Sequence, residues 1–361
     1  MRQKTLLILS TLAILSLLVS ACSSAVYSST GWFGLSTTSD TAYLAAGGFV
    51  YAIDLNTHNQ KWKFPADKAN TKGFYANPVL TPDGKQLLVP GYDNSLYSLD
   101  PNNNGTELWR FSDSKTRLIA SPLVIGNLAY QPSSNGSVYA IDLTTHAAQW
   151  TATTKAGIWA EPTTEANCSC IYVSSMDGHV YKFDSNNGRQ LAQSPSLNGA
   201  IVGTPAVGPD GTLYVGSFGK QMFALDGNTL AIQWQVPTHD WVWSGPALEN
   251  NVLYFGDLAG YFYALNTADG KANFTELKAS NAIVDTPLVT GDKIYFTAES
   301  DTLYIATTSG NLTSRVIGGQ IYSGPTLAGS TILVAPSGFT AQLIALGEDG
   351  TQQWVFPPPK S

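Results

Sequence analysis

From residue 32 onward the apolar positions fall in short runs that alternate with polar ones, and no run keeps a helical period. The run Val50-Tyr51-Ala52-Ile53 closes on Asp54, and a polar turn and Trp62 follow. The same phrase closes again at Asp100, Asp142, Asp184, Asp226, Asn266, Thr307 and Leu346, in steps of 46, 42, 42, 42, 40, 41 and 39 residues. Eight residues after the strand end stand Trp62, Trp150, Trp234, Phe274 and Trp354, and repeat two, one residue longer, reaches Trp109. Repeats four and seven have lost this aromatic. A proline precedes the first run of each later repeat: Pro78, Pro122, Pro162, Pro205, Pro246, Pro287 and Pro325, with Leu35 in repeat one. A second run such as Leu213-Tyr214-Val215 follows, set off by turn signals such as Pro209-Asp210-Gly211.

Alternation of period two marks strands, so each unit of about 42 residues supplies four short ones. A lone unit has nothing to cover its two faces, whereas a ring of them covers both and leaves only short edges. The pattern predicts an all-β, eight-bladed β-propeller of four-stranded antiparallel blades over residues 32–356. Seven blades, with the decayed repeat seven used elsewhere, is the alternative count. The chain begins and ends on whole repeats, which leaves the closure of the ring open.

Strand, Asp, polar turn and Trp at this spacing resemble the PQQ-like (pyrroloquinoline quinone-like) propeller repeat, and the resemblance covers Trp32 to Phe356. It implies a propeller fold. It is shared by protein-binding propellers and by the catalytic domains of quinoprotein dehydrogenases.

The N-terminus adds an address. Arg2 and Lys4 precede an uncharged, mostly apolar run from Leu6 to Val19. A membrane-spanning helix needs about 20 apolar residues, so this run reads as the core of a signal peptide, with a short anchor helix as the alternative. Leu18-Val19-Ser20-Ala21-Cys22 resembles the lipobox of bacterial lipoproteins, which implies cleavage after residue 21 and acyl chains on Cys22. Residues 22–31 are then a lipidated tether and 357–361 a tail. Lipobox and eight repeats together are similar to the propeller lipoproteins of the outer-membrane β-barrel assembly complex. That resemblance implies a monomeric propeller, an envelope protein partner and an anchor in the outer membrane or on the extracytoplasmic face of the cell membrane.

Charge narrows the partners. Loss of residues 1–21 removes two cations and no acid, so the net charge falls from −7 to −9. An acidic surface repels phosphates, which argues against nucleic acid and for a membrane reached by lipid alone. Besides Cys22 the chain holds Cys168 and Cys170. A disulfide and two free thiols both remain open for this pair, and two sulfurs without further ligands fall short of a metal site.

The repeated aromatics Trp62, Trp109, Trp150, Trp234, Phe274 and Trp354 read as packing between blades, because a recurring position argues for structure. Three residues before each proline lies a second column: Trp32, Tyr75, Ile119, Trp159, Val202, Trp243, Val284 and Tyr322, with Trp241 two residues from it. In this fold the first strand lies nearest the axis, so the column belongs to a central funnel. Tyr322, Trp32 and Tyr75, on blades adjacent in a closed ring, form a candidate aromatic arc; the competing reading is burial of the whole column. The residues just before the prolines are small or polar and fit a wet channel. Glu161 is the one carboxylate among them, either a ligand-orienting group or a solvated rim acid.

No catalytic set emerges. A quinoprotein site implies calcium ligands from Glu, Asn and Asp, and calcium takes 6–8 oxygens, which one funnel Glu does not supply. His58, His146, His179 and His239 fall in separate repeats, the first two at equivalent turn positions. The sequence predicts no enzyme and no cofactor, neither PQQ nor calcium. It favours a protein-interaction scaffold, ahead of a receptor for a small ligand or carbohydrate, and a PQQ-dependent dehydrogenase last.

Overall fold

In the computed structural model, residues 32–67, 73–112, 116–166, 168–339 and 341–357 are described. The predicted signal peptide, Cys22 and the tether lie outside them. Besides a two-stranded sheet that pairs Gln320–Ile321 with Pro336–Ser337, the described chain forms eight antiparallel sheets, each running in sequence order outward from the axis. They span residues 34–64, 79–111, 123–153, 163–193, 206–237, 247–278, 288–316 and 326–356. Seven are four-stranded; the fourth has three strands, and Thr163 completes it on the inner side through a bridge to Tyr172. The count is therefore eight, and repeat seven is a full blade.

Burial explains the composition of each strand. Thr41–Ala46, a second strand, is buried at every position, because both its faces meet neighbouring blades. Ile232–Pro237, a fourth strand, lies at the rim and keeps exposed positions along its length. The ring closes without a shared strand, since the first blade is built only from residues 34–64 and the last only from 326–356. Phe33, Leu35, Leu44 and Ile53 pack with Leu333, Leu343 and Phe356 across this seam, and the Thr37 hydroxyl donates to the Leu327 carbonyl at 3.0 Å.

The recurring phrase works between blades. Asp54 accepts the N–H groups of Asn56 and Thr57 at 2.9 and 2.8 Å and so shapes its turn; Asp142 and Asp226 do the same. The indole N–H groups of Trp62, Trp150 and Trp234 donate to the carbonyls of Pro101, Ser185 and Thr267, at 3.0, 3.1 and 2.9 Å. Each acceptor directly follows the strand-ending Asp or Asn of the next blade. The turn also holds a left-handed residue that lies against the preceding blade's aromatic. At Gly105 (φ +65°) a Cβ would stand 2.4 Å from the Trp62 ring, whereas His146 (φ 60°) stacks on Trp109 with centroids 4.8 Å apart.

Blade four, which lost its tryptophan, keeps the link by other means. Ala192 stands where the Trp would be, opposite Lys182. The Lys182 ammonium donates to the Gly227 carbonyl at 2.8 Å, the acceptor an indole would otherwise use. Leu230, buried and left-handed (φ 59°), packs over the vacated space.

Candidate functional site

Four consecutive columns before the prolines build the axis. The outermost supplies apolar pegs: Phe74, Leu118, Ile158, Ile201, Val242, Ile283 and Ile321 are fully buried. Most are tied to the preceding blade, as where Ile283 donates its N–H to the Asp257 carbonyl at 3.0 Å and Ile321 to that of Ser300 at 3.0 Å. These pegs fix the residues that follow, and the next three columns line one axial cavity of about 670 Å³.

All eight members of the second column line this cavity, so Trp32, Tyr75, Trp159, Trp243 and Tyr322 share one wall system with Glu161. Trp241 does not line it: it stacks on Phe218 with centroids 4.6 Å apart and is 42% exposed. The expected arc is also redrawn. Trp32 meets Tyr322 edge-on at 6.3 Å, but its other ring partner is Trp243 of blade six, stacked at 6.1 Å, and Trp243 continues to Trp159 at 6.3 Å. Tyr75 turns instead to Tyr92, at 4.6 Å. Beyond the Tyr322–Trp32 contact of adjacent blades eight and one, the cluster therefore reaches across the axis, because large rings fill a narrow centre from opposite sides. Trp32 nevertheless stays 42% exposed.

Several polar residues before the prolines bond blade to blade as well as facing the channel. Asn77 accepts the Leu35 N–H through its side chain at 2.9 Å and the Ser121 hydroxyl through its carbonyl at 3.0 Å. Thr286 donates its hydroxyl to the Gly245 carbonyl at 3.0 Å. Glycine is required at 245 by close approach: a Cβ there would lie 2.1 Å from the Thr204 carbonyl oxygen.

Two carboxyl groups line the cavity. Burial pushes Glu161 up to about 7, with no charged or hydrogen-bonding neighbour among the described residues acting on it. Asp285, in the third column, was not singled out by sequence reasoning. One of its oxygens accepts the Thr286 N–H at 2.7 Å and the other the Gly324 N–H at 2.5 Å, which ties blade seven to blade eight. Burial raises its pKa, against these two bonds. The signal was there to read: its column otherwise holds Phe33, Ala76, Ala120, Ala160, Gly203, Ser244 and Ser323. Arg117, also missed, lines the same cavity and lies over Tyr92 at 5.7 Å.

Elsewhere, Cys168 and Cys170 are joined by a disulfide, with Cα atoms 5.1 Å apart, at the turn into the second strand of blade four. Glu165 lies beside them, but sulfurs joined in a disulfide offer no thiolate to a metal, and no other group of three candidate donors stands together among the described residues. The histidines stay apart: His58 and His146 stack on tryptophans, His179 Nδ1 bonds the Ser194 carbonyl at 2.9 Å, and His239 stacks on Tyr261.

Eight blades in which this phrase recurs, around an axis lined by columns that take one residue from each blade, define a PQQ-like repeat propeller. The family model described as "Outer membrane protein assembly factor BamB" matches residues 24–167 and 176–322, and the chain belongs to that family. BamB of Yersinia pestis is 23% identical over 317 residues, covering 72% of this chain and 80% of the relative. The crystal structure of BamB from Moraxella catarrhalis shares the fold at 16% identity, with a TM-score of 0.70 over 84% of this chain and 92% of the other. The computationally designed Ika8 protein does so at 12% identity and a TM-score of 0.73, over 90% and 96%.

Proposed function

We propose that this protein is a lipid-anchored, non-catalytic scaffold that docks another envelope protein and serves the assembly of outer-membrane proteins. Membership of the BamB family across seven of the eight repeats carries this reading. The rigid ring supports it: blades tied by indole-to-carbonyl bonds present their loops in fixed positions, which suits docking. The reading of the site as non-catalytic rests on the cavity wall. Asp285 spends both oxygens on backbone N–H groups, and Glu161 alone does not make a calcium shell.

The test is in-cell cross-linking of the tagged protein, followed by mass spectrometry. A stoichiometric envelope partner is expected. Cys22→Ser should release the protein from the membrane fraction. Turnover of a sugar or alcohol by the purified protein with an electron acceptor would overturn the non-catalytic reading.

A further inference from the structure

The axial cavity is the feature that scaffolding leaves unused. At about 670 Å³ it falls in the range of small-molecule sites, and it is lined by aromatic rings and, to an equal extent, by polar groups. Its charged groups differ in what they already bond. Asp285 holds two backbone N–H groups. Arg117 lies over the Tyr92 ring. The Glu161 carboxylate has no hydrogen-bond or ion-pair partner among the described residues, and it lines the cavity two residues from Trp159 on the same blade. A largely buried carboxylate without a protein partner is costly to ionise, so an occupant that offsets its charge gains what the protein leaves unsatisfied.

A second observation agrees independently. Trp159, Trp243, Trp32 and Tyr322 form a continuous aromatic cluster in the same cavity. Indole faces attract cations. A neutral sugar would stack on these rings and could donate hydroxyls to the carboxylate, but it would leave the charge unbalanced; an anion would meet Glu161 and Asp285 against the single Arg117 of the wall.

We propose that the axial cavity binds an organic cation, an alkylammonium or guanidinium group on an apolar stem, with the stem against Trp159 and Trp243 and the charge at Glu161. The site is independent of the scaffold reading and stands or falls separately from it. Because burial holds Glu161 near 7 when the cavity is empty of charge, the cation competes with a proton. The other titratable groups of the wall are Arg117, Asp285, Tyr75, Tyr92 and Tyr322, and none of them acts on Glu161.

The experiment titrates the mature chain with benzyltrimethylammonium, acetyl-lysine methylamide and maltose at pH 6 and pH 8, following tryptophan fluorescence. At least one cation should bind saturably and about tenfold more tightly at pH 8, as Glu161 passes from about one-tenth to nine-tenths ionised. Glu161→Gln, checked for an unchanged melting curve, should abolish that pH dependence; the wild-type comparison decides the matter even if the variant misfolds. Tighter binding of the lysine derivative would mark a chain-borne cation, tighter binding of benzyltrimethylammonium a free one, and either supports the site. Failure of both cations to saturate by about 10 mM, some −3 kcal/mol, would overturn it. So would affinity that ignores pH, or maltose bound as tightly as the cations.

Discussion

His58 lies flat on Trp354, with ring centroids 4.6 Å apart and planes 14° from parallel, and the contact joins the first blade to the last. Among the described residues no strand is shared at this seam, so side-chain contacts close the ring. Trp354→Ala should cost about 2–3 kcal/mol, below the full core value because the ring is only partly buried. Limited proteolysis should then cut blade eight first. Urea denaturation and mapping of the first fragments check both.

Gly105 and Gly126 share a left-handed φ but differ in surroundings. A Cβ at 105 meets the Trp62 ring at 2.4 Å, and one at 126 meets nothing within 4 Å. Gly126→Ala should cost about 1 kcal/mol of backbone strain. Gly105→Ala should cost about 3 kcal/mol or more, the excess coming from the displaced indole. Their unfolding midpoints separate strain from packing.

Ala192 and Leu230 are a compensated pair, Ala standing where most other blades carry an aromatic and Leu where they carry Gly or His. Leu230→Gly should destabilise by about 3 kcal/mol through the cavity it leaves. Ala192→Trp alone should also destabilise, by overpacking against Leu230. The double variant should be more stable than the sum of the two, a coupling of about 1–3 kcal/mol in a double-mutant cycle.

The pH profile should have two limbs of opposite sign. Asp54, Asp142 and Asp226 are held below the usual carboxylate range by backbone N–H groups of Thr57, Thr145 and Thr229 first of all. Their stabilisation is present above about pH 4 and is lost as pH falls through their lowered values. Glu161 acts the other way: raised from 4.5 to about 7, it binds its proton more tightly folded than unfolded, so its ionisation removes stability between about pH 4.5 and 7. Glu161→Gln should therefore gain about 1–3 kcal/mol at pH 8 and little at pH 4. Thermal melts of both proteins across that range test the sign.

Much of this molecule was legible along the chain. Strand period, the Asp turn and the proline landmark are local features, and their recurrence at about 42 residues leaves a blade as the unit that can repeat. The column three residues before each proline was legible as axial for the same reason, and all eight of its members line the cavity. The pegs beside it went unnoticed because an apolar residue next to an apolar column carries no separate signal. Asp285 could have been found by comparing columns, since it is the one charge among small residues.

Pairing across the ring was beyond the chain's own order. Trp32 finds Trp243 of blade six and not Tyr75 of the adjacent blade, because distances at a closed centre depend on ring diameter and ring size, not on repeat number. The replacement of an indole by Lys182, donating to the carbonyl of Gly227, likewise needs the next blade in place. Local alternation and recurrence, which any short segment expresses, determined the blades, while their number, eight against seven, was decided by the structure. Closure of the ring decided which side chains meet at the axis, and so left Glu161 facing a cavity with no partner among the described residues.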